Sequence, residues 1–232
     1  AITNTGYTGP ALTSHGNAVT VSLAGNTYTG VAGGVTIFTM TINTDGTYSF
    51  TQFGPLDHPD TNDANEALNL TFGLRITDAD GDTAASTITA VVRDDAPVAI
   101  NDSFLSSTAT ATGNIMANDH VGADVAGRVY DVTFGGVTQT LPSDGSNVTI
   151  TNASGTLVIN STGQFTFTPP VAGQGATFTY HLIDFDGDKS VVDASHGTVV
   201  IDTDATPIVG DATIVTDETS LVSGPAVTNG NV

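Results

Sequence analysis

The 232-residue sequence carries 24 acidic residues against 4 basic ones, a formal net charge of -20, and has neither cysteine nor tryptophan. A surface this negative excludes nucleic acid and anionic membrane as partners, because both are polyanions, and the missing cysteine excludes disulfides as the staple of the fold. The length exceeds one small sandwich and suits two domains of about 100 residues each, with 39% hydrophobic residues to fill their cores.

Taken in chain order, the predicted elements are all strands. Val19, Val21 and Leu23 alternate with polar residues, and Phe38, Met40 and Ile42 do the same. The turn Thr44-Asp45-Gly46 then leads into a return strand through Tyr48 and Phe50, a strong hairpin signal. The longest alternating run is Leu68, Leu70, Phe72, Leu74 and Ile76; it ends at the acidic loop Asp78-Ala79-Asp80-Gly81-Asp82, followed by a strand from Ile88 to Val92. No clear opening strand is read before residue 10.

The second half repeats this plan. Val148 and Ile150 alternate, then Leu157 to Ile159, and Ser161-Thr162-Gly163 precedes Phe165 and Phe167 as Gly46 precedes Tyr48 and Phe50. Phe178, Tyr180 and Leu182 lead into Asp184-Phe185-Asp186-Gly187-Asp188. Gly81 lies nine positions after Phe72, and Gly187 nine positions after Phe178. Each half closes on an acidic, Pro-containing segment, Asp94-Asp95-Ala96-Pro97 and Asp202 to Pro207. This is an internal duplication in tandem. The expected fold is all-β, two tandem immunoglobulin-like or cadherin-like β-sandwich domains at 1–97 and 98–206. Residues 207–232 are read as the start of a further repeat or a docking tail. No signal peptide opens the sequence, which suits an interior fragment and an intact soluble protein alike, and no apolar stretch approaches a membrane span.

The twice-seen Asp-x-Asp-Gly-Asp places carboxylates at alternate positions around a flexible Gly, a pattern that can curl around a hard cation. Calcium takes six to eight oxygen ligands. The loops are not EF-hands: the twelfth position, which needs Glu, is Thr89 or Ser195. The blander reading is a solvated Asp-Gly turn; two copies in one register favour calcium. If the strands flanking each loop are the last two of a sandwich, the loop lies at the pole where the chain enters that domain. The expected metal residues are therefore Asp184, Asp186 and Asp188 with Asp94, Asp95, Asn101, Asp102 and Asp119 at the interdomain joint. Asn118 is expected near the same pole. Asp78, Asp80 and Asp82 are expected to face a preceding repeat.

The segments Gly46 to Phe50, Gly54-Pro55-Leu56-Asp57-His58-Pro59, Thr77 to Thr83 and Asp94 to Pro97 resemble the long repeats of giant, type I secreted, RTX-type bacterial adhesins. Gly113 to Asp119 and the second acidic loop resemble the related cadherin-like or VCBS-type repeats, and Thr216 to Leu221 resembles the opening of another. The resemblance implies a calcium-stiffened extender on the bacterial cell surface, supporting adhesion and biofilm formation. Its implied partners are neighbouring repeats, with host, algal or bacterial glycans or peptides bound by other domains. A monomer is expected.

Other readings are weaker. His15, His58, His120, His181 and His196 are scattered without zinc-like spacing, and His58 reads as a turn residue. Adjacent Ser195 and His196 on a strand point to opposite faces, against a triad with Asp193. No enzyme is expected. The main rival is a peptide- or glycan-binding module using the long acidic stretch Asp57 to Glu66. Ice binding would need a regular Thr array, which is missing.

Overall fold

The structure, a computed structural model, describes residues 1–61, 63, 65–105, 110–123, 126–190 and 196–202. Asp193, Ser195 and the segment 207–232, for which readings are given above, lie outside the described residues. So does all of the acidic segment after Asp202.

The first sandwich is built from β1 (Ile2–Tyr7), β2 (Thr13–Ser14), β3 (Asn17–Ala18), β4 (Thr20–Ala24), β5 (Thr27–Ala32), β6 (Val35–Ile42), β7 (Tyr48–Gln52), β8 (Ala67–Thr77) and β9 (Thr83–Arg93). One sheet has the order β1-β8-β9 and the facing sheet β4-β5-β6-β7, with β2 and β3 as a small separate ribbon. The two sheets enclose Tyr28, Phe38, Met40, Ile42, Leu70 and Phe72, all essentially inaccessible to solvent. Alternation explains most of this core. Ile37 and Phe38 break the alternation, and both are buried. Gly30 faces Phe38 while Val31 faces Thr36, so Ile37 is the extra residue of a bulge.

A strand does open this domain, contrary to the sequence expectation. β1 pairs antiparallel with β8 from Ile2 opposite Ile76 to Tyr7 opposite Phe72, with a register shift between Asn4 and Gly6. Its inward positions include Asn4 and Gly6 rather than a run of apolar residues. The periodic signal was therefore hidden by polar and bulge residues.

The second sandwich comprises β10 (Asp102–Leu105), β11 (Ala111–Asn114), a 3-10 turn (Ile115–Ala117), β12 (Arg128–Phe134), β13 (Val137–Thr140), β14 (Val148–Asn152), β15 (Gly155–Ile159), β16 (Gln164–Thr168), β17 (Ala176–Ile183) and β18 (Gly197–Asp202). Its sheets run β10-β18-β17-β12-β13 and β11-β16-β15-β14. β10 lies parallel to β18, while the other named pairings are antiparallel. That arrangement is immunoglobulin-like, with the chain crossing between sheets from β10 to β11. A separate cluster including Phe134, Leu157, Phe167, Phe178, Tyr180 and Val199 fills this core.

The duplication extends to individual turns. Asn43 N donates to Thr47 O at 2.8 Å and Asn160 N to Gln164 O at 3.1 Å, each closing the hairpin that precedes β7 or β16. β7 thus corresponds to β16, β8 to β17, β9 to β18 and β1 to β12. Among the described residues no helix is long and apolar enough to cross a membrane.

Candidate metal centre

Each acidic loop begins where a core strand ends, and each is closed by its own first Asp. Asp184 Oδ1 accepts from Gly187 N at 3.1 Å and from Asp188 N at 2.8 Å. Asp78 Oδ1 accepts from Gly81 N at 3.0 Å and from Asp82 N at 2.8 Å. This is the Asx-type closure expected of Asp before a turn. Gly187 at φ +113° and Gly81 at φ +103° take a backbone conformation that residues with a Cβ rarely adopt.

The second loop docks against the first sandwich. Pro55, Leu56 and Asp57 lead the chain toward it; Leu56 is buried and Asp57 N donates to Thr13 O at 2.9 Å. The Asp57 carboxylate then accepts from His15 N at 2.6 Å and Gly16 N at 2.8 Å, holding the 13–18 ribbon in place. The His15 ring meets Phe185 edge-on at 4.9 Å between centroids. His58 N donates to Asp186 Oδ2 at 2.9 Å. Asp94, just past β9, has its backbone N bonded to Glu66 O at 2.9 Å.

These contacts bring one ligand atom each of His58, Asp94 and Asp186 within 4.8 Å of one another, and likewise of Asp184, Asp186 and Asp188. Asp94, Asp184, Asp188 and His58 are all buried. His58 Nδ1 stands 3.2 Å from Asp94 Oδ1, but the alignment is not that of a hydrogen bond. Both His58 ring nitrogens, Asp94 Oδ2, Asp186 Oδ1 and both Asp188 carboxylate oxygens are buried without a hydrogen-bond partner. Leaving such an atom unpaired costs about 1–3 kcal/mol, and two carboxylates about 4 Å apart repel by roughly 4 kcal/mol at an effective dielectric of 20. Burial, then the Asp188 and Asp186 carboxylates, push Asp94 up to about 8. Burial, then Asp186, push Asp184 to about 8 as well, and burial also raises Asp188. The cluster is thus an acidic site that could bind a metal ion.

The first loop has the same local shape and a different setting. Asp78, Asp80 and Asp82 also converge within 4.8 Å, but all three are exposed.

The remaining predicted residues do not join the cluster. Asp95 Oδ2 accepts from Ala123 N at 3.0 Å, turning toward the second sandwich. Asn101 Oδ1 accepts from Thr198 N at 2.9 Å, anchoring β18. Asp102 and Asp119 converge instead on the Tyr180 hydroxyl, with Asp119 oxygens at 2.9 Å and Asp102 Oδ2 at 3.2 Å. Asp119 Oδ1 also accepts from Ile100 N at 2.7 Å. Burial raises both carboxyl groups, Asp102 to about 6. Asn118 Nδ2 donates to Asn101 O at 3.2 Å.

Sequence reasoning missed His58 as a member of the cluster. Its signal was the Leu-Asp-His-Pro turn, which sequence alone could not tie to residues over a hundred positions away.

Residues 1–89 match a family described as "Domain of unknown function (DUF5801)". No curated protein matches the chain. Among solved structures, the bradyzoite specific antigen BSR4 from Toxoplasma gondii is similar over 72% of this chain at 14% identity, with a TM-score of 0.30. The match spans 65% of that antigen chain, and the TM-score is below that of a shared fold.

Proposed function

We propose that the chain is a calcium-stiffened extender from an extracellular bacterial surface adhesin, supporting cell adhesion and biofilm formation rather than catalysis. Its partners are then neighbouring repeats of the same protein. The observation that carries this reading is the meeting of Asp94, at the exit of the first sandwich, with Asp186 of the second and beside Asp188, among buried side-chain atoms without a hydrogen-bond partner.

Asp94, Asp184, Asp186 and Asp188 would hold the ion. Carboxylate oxygens suit calcium's preference for hard oxygen donors. Calcium would neutralise the repulsion and bind the two domains at once. Four carboxylates carry twice the charge of one divalent ion, which leaves room for a second. The resemblance to RTX-type adhesin repeats supplies the cellular setting.

Thermal melts and solution scattering with and without calcium test this. Sites of this kind in extracellular modules have dissociation constants of roughly 0.1–1 mM. At ten times that constant each ion stabilises the fold by about 1.4 kcal/mol. The expected result is a higher Tm and an elongated, stiffer particle in millimolar calcium, both reversed by chelator. An unchanged Tm and scattering profile would refute the role of calcium. Specific hits on a glycan or peptide array would favour a ligand-binding module instead.

A further inference from the structure

We propose that Asp131, His181 and His196 form a surface site for a nitrogen-seeking divalent cation of the zinc and copper class, on the outer face of the second sandwich. The proposal stands apart from the calcium reading. It uses imidazole nitrogens, and it lies on β12, β17 and the start of β18, which carry none of the four joint carboxylates.

The site is a row across three neighbouring strands. Tyr180 and Leu182 are fully buried, so His181 between them points outward. Asp131 stands directly opposite His181 in the ladder of β12 and β17. That register is set by the shift between Val129 and Asp131, which makes Tyr130 an extra residue. Bulges of this kind re-aim a side chain; without it Tyr130 would stand opposite His181. On the other side of β17, Gly197 is opposite Tyr180. One step further along this antiparallel register puts His196 opposite His181.

The contacts agree with the register. His181 Nδ1 lies 2.7 Å from Asp131 Oδ1. The His181 and His196 rings stand 6.2 Å apart between centroids, with their planes at 71°.

This arrangement prepares a metal ligand. An ionised carboxylate can only accept, so Asp131 holds the His181 proton on Nδ1 and leaves the lone pair on Nε2. Metal-bound histidines almost always have their second nitrogen held in this way. The His181 side chain is 25% exposed and that of Asp131 15%, so the pair is packed enough to be held and open enough for an ion to reach. His196 is exposed. With zinc–nitrogen bonds of about 2.0–2.1 Å, two imidazoles on one tetrahedral ion have ring centres about 5 Å apart. A small rotation of the exposed His196 side chain covers the difference. A cross-strand ion pair would account for Asp131 and His181 alone, and would not use the second imidazole of the row.

Nitrogen donors select zinc, copper or nickel over calcium and magnesium, which take oxygen. Two protein nitrogens leave the remaining positions to water or to a donor from another molecule. Because His181 belongs to β17 and His196 immediately precedes β18, a bound ion ties these strands together where β18 begins. Sequence spacing does not reveal the site, since its members are far apart in the chain and only the strand register aligns them.

The test is copper binding by the full chain in millimolar calcium, read by calorimetry and by electron paramagnetic resonance. The expected spectrum shows splitting from two nitrogens. His196→Ala, at an exposed position, should keep the metal-free Tm and reduce the splitting to that of one nitrogen. Asp131→Asn keeps an acceptor for Nδ1 but removes the charge that makes the imidazole more basic. It should retain the two-nitrogen spectrum and weaken binding by about tenfold or more, with His196→Ala weakening it further. His58→Gln, at the interdomain joint, should leave the copper spectrum unchanged. The proposal falls if copper does not bind, or if His196→Ala binds it with unchanged affinity and splitting. It also falls if the nitrogen splitting is lost in His58→Gln and kept in His196→Ala, which would place the copper at the joint.

Discussion

The two acidic loops are the same object placed in two environments. Asp78 to Asp82 and Asp184 to Asp188 share their sequence pattern, their Asp-capped hydrogen bonds and their left-handed Gly. The first stands in solvent, while the second lies against His58, Thr61 and Asp94. Local chemistry thus sets the loop's shape, and the segment packed against it decides whether its charges become a binding site.

The largest test of that contrast is pH. In metal-free protein, burial holds Asp94 and Asp184 at about 8, against an ordinary value of 3.8. The unfolded chain releases those protons near pH 4, whereas the folded chain keeps them until about pH 8. Stability is therefore full below pH 4 and declines as pH rises through that window. A Tm lower by ten degrees or more at pH 8 than at pH 5 is expected without metal, as a rough figure. Millimolar calcium should remove most of the drop, leaving the smaller loss between about pH 4 and 6 that belongs to Asp102. A metal-free Tm that rises toward pH 8 would contradict the buried-charge account.

Next in size is removal of one buried charge. Asp188→Asn should raise metal-free stability by about 2 kcal/mol, because it relieves like-charge repulsion. At about 2–4 °C per kcal/mol this raises Tm by about 4–8 °C, with the calcium response weakened or lost. Asp82→Asn, at the matching exposed position, should change neither the metal-free Tm nor the larger calcium shift. Denaturant melts of both variants decide the matter.

His58→Gln sharpens the role of the packed segment. It keeps the backbone donor to Asp186 but removes two unpaired ring nitrogens. Calcium affinity by calorimetry should change by less than about threefold if the metal takes only oxygen donors. A tenfold or greater loss, with zinc binding more tightly than calcium in the unaltered protein, would point to a nitrogen-ligated metal instead.

The smallest effect is steric. Gly187→Ala and Gly81→Ala face similar backbone strain, but a Cβ at 187 would sit 2.9 Å from Thr61 Cγ2, and at 81 it meets nothing within 4 Å. Both should destabilise by about 1 kcal/mol or more, with Gly187→Ala worse by a few tenths of a kcal/mol or more. Equal losses would mean that the second loop is not pressed against the first sandwich.

Much of the fold was legible because burial on one face writes alternation into β6, β8 and β17. The turns at Gly46 and Gly163 and the two acidic loops were readable as local chemistry. β1 was not, because Asn4 and Gly6 occupy its inward positions. The pole of the second sandwich followed from strand order, which is why Asp94 could be grouped with the loop. The fates of Asp95, Asn101, Asp102 and Asp119 could not be read in this way. Each is settled by a specific backbone amide or by the Tyr180 hydroxyl, partners that only tertiary packing supplies.

The parallel pairing of β10 with β18 has a mechanical consequence. The first and last strands of the second sandwich lie side by side over Asp102 to Leu105 and Val199 to Asp202. A pull on the chain before and after this domain drags the two strands in opposite directions along their length. Their rungs are then loaded together in shear and cannot be broken in succession, as a zipper opens. In single-molecule extension the second sandwich should therefore open in one high-force step and not peel apart at low force.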